Sequence, residues 1–372
     1  MITTKEITSK GDLTTFVKFP FEIYKNSPYY VPPIIKEELD AIDPLKNPVF
    51  KNAVAKYFLA YKNNKVVGRI AAIINWIEVK EQKKKKVRFG WLDMIDDIEV
   101  TKALLQEVIK FGVEHSLEFM EGPVGFSNMD KAGILIKGFE ELNTMITWYN
   151  HPYYRTHLEQ LGFEDAATWV EYRIKVPTKT KDKVVKFADI IKDRYNLKLI
   201  TFKNSKAILP YVNEMFDLLN KTYSSLQTFV PIQQYQIDMY KEKYIPYINP
   251  DFITCISDEK GKLIAFSIVM PSFSKALKKM KGKMFPFGFL HILKAQRKNN
   301  TAAFYLIGID PEYQNKGVTA LIFKEMNETF IRKGIKIVET NPELEENKAI
   351  QALWNGYEHE LHKMRRTYKK AL

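Results

Sequence analysis

Residues 304–334, FYLIGIDPEYQNKGVTALIFKEMNETFIRKG, most constrain what this chain can fold into. The apolar run 304–309 has the length of a strand. Asp310-Pro311 ends it, because proline cannot donate to a ladder and restricts the residue before it. A polar turn, Gln314-Asn315-Lys316-Gly317, follows. Val318, Leu321, Ile322, Met326 and Phe330 then recur at helical spacing. The order is strand, glycine-bearing turn, helix. A helix opening in this way presents unpaired N–H groups and the positive end of its dipole. Such a terminus suits a phosphate, and Lys316 adds a formal charge beside it.

These residues resemble the acyl-CoA-binding signature of the GNAT N-acyltransferase superfamily: strand, proline, a short gap, Gln/Arg-x-x-Gly-x-Gly/Ala, helix. Here the signature reads Gln314-Asn315-Lys316-Gly317-Val318-Thr319, with Thr319 in place of the final Gly or Ala. The resemblance implies that Gln314, Asn315, Lys316, Gly317, Val318 and Thr319 hold the pyrophosphate of an acyl-CoA co-substrate, acetyl-CoA or longer. It also implies that Ile307, Gly308 and Ile309 present a splayed strand edge to the pantetheine and thioester, with Asn347 contributing from a later helix. Gly308 permits the close backbone approach that such a strand needs. Asn347 reads equally well as a helix N-cap.

At 372 residues the length prior gives two or three domains. Two halves show the same order of elements: hairpin, strand, helix, strand, helix, strand. The reading is an α/β chain of two tandem GNAT-like domains, each a mixed, mostly antiparallel sheet flanked by helices. Residues 1–176 form the first, 177–183 a polar linker, and 184–372 the second. Around Asp96 and Asp97 the first half has acids where a pyrophosphate turn would lie, so it reads as a degenerate copy. Several phrases resemble a bacterial branch of tandem GNAT-like proteins: Tyr30-Val31-Pro32-Pro33, Val67-Gly68-Arg69-Ile70, residues 122–127, Gly133 with Gly138-Phe139, residues 149–154, residues 339–342 and residues 362–366.

Amine acylation needs a group to take a proton from the attacking nitrogen and a group to protonate the thiolate. Glu339, at the end of the strand after the signature helix, is a candidate base; it also reads as one of several acids crowding a helix start. The family's tyrosine acid would fall at Trp354, which offers only an N–H donor. Tyr357, three residues on, is the substitute, or a core residue. The reading is therefore an N-acyltransferase that moves an acyl group from a CoA thioester to an amine, and the alternative is a non-catalytic CoA- or lipid-binding protein.

A net charge of +13 favours polyanionic partners. Cys255 is the lone cysteine and the histidines lack metal spacing, so neither a disulfide nor a metal is expected. Nucleic acid is not expected as a partner, since aromatic-basic alternation and helix-turn-helix signals are missing. A cytoplasmic protein, membrane-peripheral through one segment, is the expectation. That segment, 275–298, has an apolar centre around Phe285, Phe287, Phe289 and Leu290 with lysines on both flanks. It suits an anionic membrane interface, an acceptor with a long hydrocarbon tail, or a helix buried against the first half. Lys83 to Lys86 read as a solvated loop.

Overall fold

The computed structural model describes residues 1–372 apart from 128, 225, 227, 228, 246 and 247. In chain order the first stretch holds β1 (Ile2–Glu6), α1 (Lys10–Ile23), α2 (Ile35–Ala41), β2 (Ala53–Lys62), β3 (Lys65–Asn75), β4 (Lys86–Met94), α3 (Ile98–Glu114), β5 (Phe119–Gly122), β6 (Ile134–Lys137), α4 (Tyr153–Gln160) and β7 (Glu164–Lys175). Next come α5 (Asp182–Arg194), β8 (Lys198–Ile200), α6 (Val212–Tyr223), α7 (Gln234–Lys243), β9 (Ile253–Ser257), β10 (Leu263–Pro271), α8 (Ser274–Met280) and α9 (Gly288–Arg297). The last stretch is β11 (Thr301–Ile309), α10 (Val318–Lys333), β12 (Ile337–Thr340), β13 (Glu343–Leu344), α11 (Lys348–Gln351) and β14 (His359–Ala371).

These elements group into two units. Unit 1 is Met1–Val170, Phe273–Ile292 and His362–Leu372; unit 2 is Glu171–Ser272 and Leu293–Leu361. This grouping departs from a division at 177–183 in three places, the first being the end of β7, which from Glu171 on falls in unit 2. Most of the 275–298 segment packs in unit 1, where Leu277 and Met280 are buried with Val31. The end of β14 also belongs to unit 1, pairing antiparallel with β5 from Tyr368↔Gly122 to Ala371↔Phe119. Both partners are distant in sequence, so local composition carried no sign of them.

In unit 1 the β2–β3 hairpin turns through Asn63 and Asn64, with φ of 50° and 60°. That is the pair of left-handed residues a two-residue hairpin requires. β1 and β4 extend the sheet antiparallel, and β5 joins β4 in parallel after the crossover helix α3. One sheet face buries Leu104, Leu105 and Val108 of α3 with Ile70, Ala72 and Phe89. The other takes Phe16 and Val17 of α1 against Leu59, Ala71 and Ile73. Lys86 is no part of a solvated loop: it opens β4, is buried, and pairs with Glu78 at 3.0 Å and Glu121 at 2.8 Å.

Unit 2 repeats this order. β9, β10 and β11 run antiparallel, β11 and β12 pair in parallel across α10, and β12 pairs antiparallel with β7. Where the sequence suggests a helix over 347–357, one α-turn gives way to a 3-10 helix, Ala352–Gly356.

Glu78 provides a test of unit 1. Its carboxylate meets buried Arg88 at 2.6 Å as well as Lys86. Burial alone would raise its pKa, but Arg88 and Lys86 outweigh burial and hold it at about 2. Glu78→Gln leaves two buried cations short of charge, an expected loss of about 3 kcal/mol in denaturant unfolding. The folded-state pKa lies below the unfolded one, so this stabilisation is present above the ordinary glutamate range and is lost as pH falls toward about 2. The wild-type minus variant difference in stability should shrink along that path.

Candidate active site

The site in unit 2 is set by a fork. β11 and β12 are paired from Thr301↔Ile337 to Phe304↔Thr340, and the ladder ends there. β11 runs on to Ile309 with β10 as its neighbour. The Asp310 N–H donates to the Ile264 carbonyl of β10, so from Leu306 to Asp310 the backbone N–H and C=O groups of even-numbered residues face β10 and those of odd-numbered residues face the fork. The fork-side carbonyls take side-chain donors: Asn341 Nδ2 reaches Tyr305 O at 2.7 Å, Tyr223 Oη reaches Ile307 O at 2.9 Å, and Gln314 Nε2 reaches Ile309 O at 3.2 Å. The N–H groups of Ile307 and Ile309 share that edge.

The strand leads into the turn. Asp310, buried, bonds Lys221 at 3.0 Å and Lys262 at 3.1 Å, and accepts the Glu312 N–H. Asn315 (φ 62°) and Gly317 (φ 82°) are both left-handed. A Cβ at Gly317 would come within 2.9 Å of the Phe187 ring of α5, so backbone and packing both demand glycine. Gly317 is the N-cap of α10 and no side chain caps this helix. The contrast with unit 1 is direct: Asp97 caps α3 by accepting the Glu99 N–H at 3.1 Å and meets Lys62 at 2.8 Å. Lys316 lies over the rings of Tyr313 and Tyr195, at 4.9 Å and 5.4 Å. A groove of about 530 Å³ adjoins the turn; Arg194, Lys260 and Lys262 line it together with Asp258, Glu259 and Glu312, so its formal charges cancel.

The carboxyl at the fork is Glu343. It is buried and accepts Trp354 Nε1–H at 3.0 Å and 3.2 Å on its two oxygens. Trp354 packs edge-on against Phe304, the last paired residue of β11, at 5.6 Å. Burial raises the Glu343 pKa to about 8, with Trp354 and Thr340 acting in the opposite direction. Tyr223 is pushed to about 12, chiefly by burial, with the Glu343 charge adding to it. A carboxyl that titrates near 8 exchanges protons at working pH, which suits general acid–base chemistry.

The structure brings Ile307, Gly308, Ile309 and the run Gln314 to Thr319 together at the open edge of β11 and the start of α10. Glu339 lies in the paired part of β12, between Ala303 and Arg173. Tyr357 Oη accepts from Asn327 Nδ2 of α10 at 2.9 Å, its ring rests 5.8 Å from Phe323, and burial raises its pKa. Asn347 caps α11, its Oδ1 accepting the Ile350 N–H at 3.4 Å. Sequence reasoning missed Glu343, Tyr223 and Asn341. Glu343 read as one of several acids ahead of a helix, and only its contact with Trp354 sets it apart.

No family model matches the chain. Protein YghO of Escherichia coli (strain K12) is 25% identical over 373 residues, covering 98% of this chain and 94% of that protein. A bacterial ceramide synthase of Caulobacter vibrioides is 21% identical over 384 residues, covering 98% and 96%. Among solved structures, a tandem GNAT protein from the clavulanic acid biosynthesis pathway superposes with a TM-score of 0.59 at 10% identity, over 100% of this chain and 98% of that one. The fold is therefore that of the GNAT N-acyltransferases, in its tandem form.

Glu343→Gln tests the perturbed carboxyl. A pKa raised on folding means that the stabilising effect is fully present below the ordinary glutamate value and is lost as pH climbs through about 8. Thermal unfolding of the variant should therefore depend less on pH between about 5 and 9 than that of the wild type. A pH profile of stability unchanged by the substitution would contradict the assignment.

Proposed function

We propose that the chain is an acyl-CoA-dependent N-acyltransferase. The observation that carries this is the uncapped, glycine-led start of α10 beside a strand edge open at the Phe304/Thr340 fork. Unit 2 holds the donor: the CoA pyrophosphate on the N–H groups of Val318 and Thr319, with Lys316 beside it for further phosphate charge. Unit 1 has lost the donor turn, because Asp97 occupies the equivalent helix start.

In the reaction the nitrogen lone pair of a neutral amine attacks the thioester carbonyl carbon and forms the C–N bond. The oxyanion that develops lies against the N–H groups of Ile307 and Ile309. The C–S bond breaks as the carbonyl re-forms. Ionised Glu343 takes the surplus proton from nitrogen and returns it to the leaving thiolate, giving an amide and free CoA. Glu339 and Tyr357 are candidates for relaying that proton at the acceptor side.

The acceptor is a long-chain, lipid-like amine. Two observations support this: the likeness to a bacterial ceramide synthase, and the exposure of Phe285 (75%) and Phe287 (71%) in a lysine-rich segment. Among the described residues no helix is long and apolar enough to cross a membrane. Contact with a lipid surface would be peripheral, from the cytoplasm, through 275–298. The second reading, CoA binding without turnover, draws on Trp354 standing where the family has a tyrosine.

Thr319→Asp separates donor binding from folding. An acid in the first turn of α10 favours the helix but repels pyrophosphate. Calorimetric titration should show acyl-CoA binding weakened at least about tenfold, equivalent to ~1.4 kcal/mol, with the melting temperature unchanged or higher. Equal binding to wild type and variant would refute the donor site. Replacing Phe285 and Phe287 together by Ser should lower sedimentation with anionic vesicles and leave acetyl-CoA binding intact; unchanged sedimentation would refute the membrane contact.

A further inference from the structure

Several of the phrases singled out in the sequence converge inside unit 1 and have no part in the donor site. Arg69 of the 67–70 phrase pairs with Asp93 at 2.7 Å, both nearly fully buried. Tyr24 Oη donates to the other Asp93 oxygen at 2.7 Å. Tyr30 and Tyr149, from two more phrases, line the same cleft, and Arg365 of the 362–366 phrase donates to its Asn143 at 3.0 Å. Across the cleft Glu38 meets Lys131 at 2.8 Å and accepts Trp91 Nε1–H at 2.8 Å. Two buried ion pairs are a costly way to fill a core, since apolar residues of similar volume commonly do as well or better.

The chemistry of the cleft is specific. Its two carboxylates and two cations cancel, so it asks for neither net charge. Tyr30 Oη and Trp148 Nε1 are buried in its lining with no hydrogen-bond partner among the described residues. Burial pushes the Tyr30 phenol far above its usual range, so it remains a donor as well as an acceptor. A ligand hydroxyl can accept from Trp148 and exchange a bond in either direction with Tyr30. The rings of Tyr24, Tyr30 and Tyr149 stand 4.8 to 6.4 Å apart and pack on one another as an aromatic wall of the cleft. The space, about 20 Å³, has room for a single hydroxyl-sized group. Val31 lines this cleft and also packs on Leu277 and Met280, within the segment that exposes Phe285 and Phe287. A polar recess and an apolar ledge therefore share a residue.

We propose that unit 1 holds a binding site for the hydroxyl-bearing end of a long-chain amine, with the hydrocarbon chain on the 273–292 segment. This deepens the proposed acylation by naming the acceptor class and rests on it only for the fate of the bound amine. Binding itself requires no CoA.

The test uses the full chain and two medium-chain amines of equal length below their micelle concentrations: a 2-amino-1,3-diol, and a primary amine without hydroxyls. Binding is read by calorimetry. The amino-diol should bind at least about tenfold more tightly, because a site built around hydroxyls rejects the analogue that lacks them. Tyr30→Phe and Trp148→Phe should each erase most of that preference while leaving the melting temperature and acyl-CoA titration as in the wild type. Equal binding of the two amines, or a preference that survives both substitutions, would overturn the site and mark the cleft as a structural network. An amino-diol preference in a chain that fails to bind acyl-CoA would uphold this site and sink the donor reading alone.

Discussion

The parting of β11 from β12 at Phe304 and Thr340 is the constraint on which the site in unit 2 depends. A parallel ladder carried to Ile309 would consume the N–H groups of Ile307 and Ile309 and close the edge. The fork holds open because side chains take over the strand's carbonyls: Asn341 on Tyr305, Tyr223 on Ile307, Gln314 on Ile309. Unpaired backbone in a protein interior is costly, and these contacts satisfy the acceptors while leaving donors available. The same parting leaves room for Glu343 and Trp354, whose dry surroundings move the carboxyl's titration toward working pH. One break in pairing thus yields both a donor-lined edge and a proton-exchanging group.

The two units share an order of elements and differ at the corresponding helix start. Where α10 begins on a left-handed glycine with no side-chain cap, α3 begins on Asp97, which fills the role a phosphate would take. A negative side chain at a helix N-terminus competes with an anion for the same N–H groups. Unit 1 instead buries two polar clusters, one around Arg69 and Asp93 and one around Glu78, Lys86 and Arg88. A duplicated fold can diverge this way, because function resides in sites grafted on the scaffold.

What the sequence revealed was local. The strand, proline, glycine and helix of 304–334 are adjacent in the chain, and each has its own physical cause. Gly317 marked the turn between strand and helix. What it hid depended on partners far along the chain. Tyr223 reaches Ile307 across 84 positions, and Glu343 owes its raised pKa to burial beside Trp354. Lys86 looked like one member of a charged run until Glu78 and Glu121 enclosed it. The helix expected over 347–357 stops after one α-turn, and spacing alone gives no warning of the 3-10 stretch that carries Trp354. Val31, which anchors the 273–292 segment, is equally invisible to composition.

The most direct test of the whole account is turnover. Purified full-length chain is mixed with palmitoyl-CoA and a long-chain amino alcohol across a pH series, with free thiol and amide product followed together by mass spectrometry. The account predicts that both appear in equal amounts, with a rate that rises as pH approaches about 8, where Glu343 becomes ionised. Saturable binding of both substrates with neither thiol nor amide released at any pH would contradict it and establish the chain as a binding protein on a GNAT scaffold.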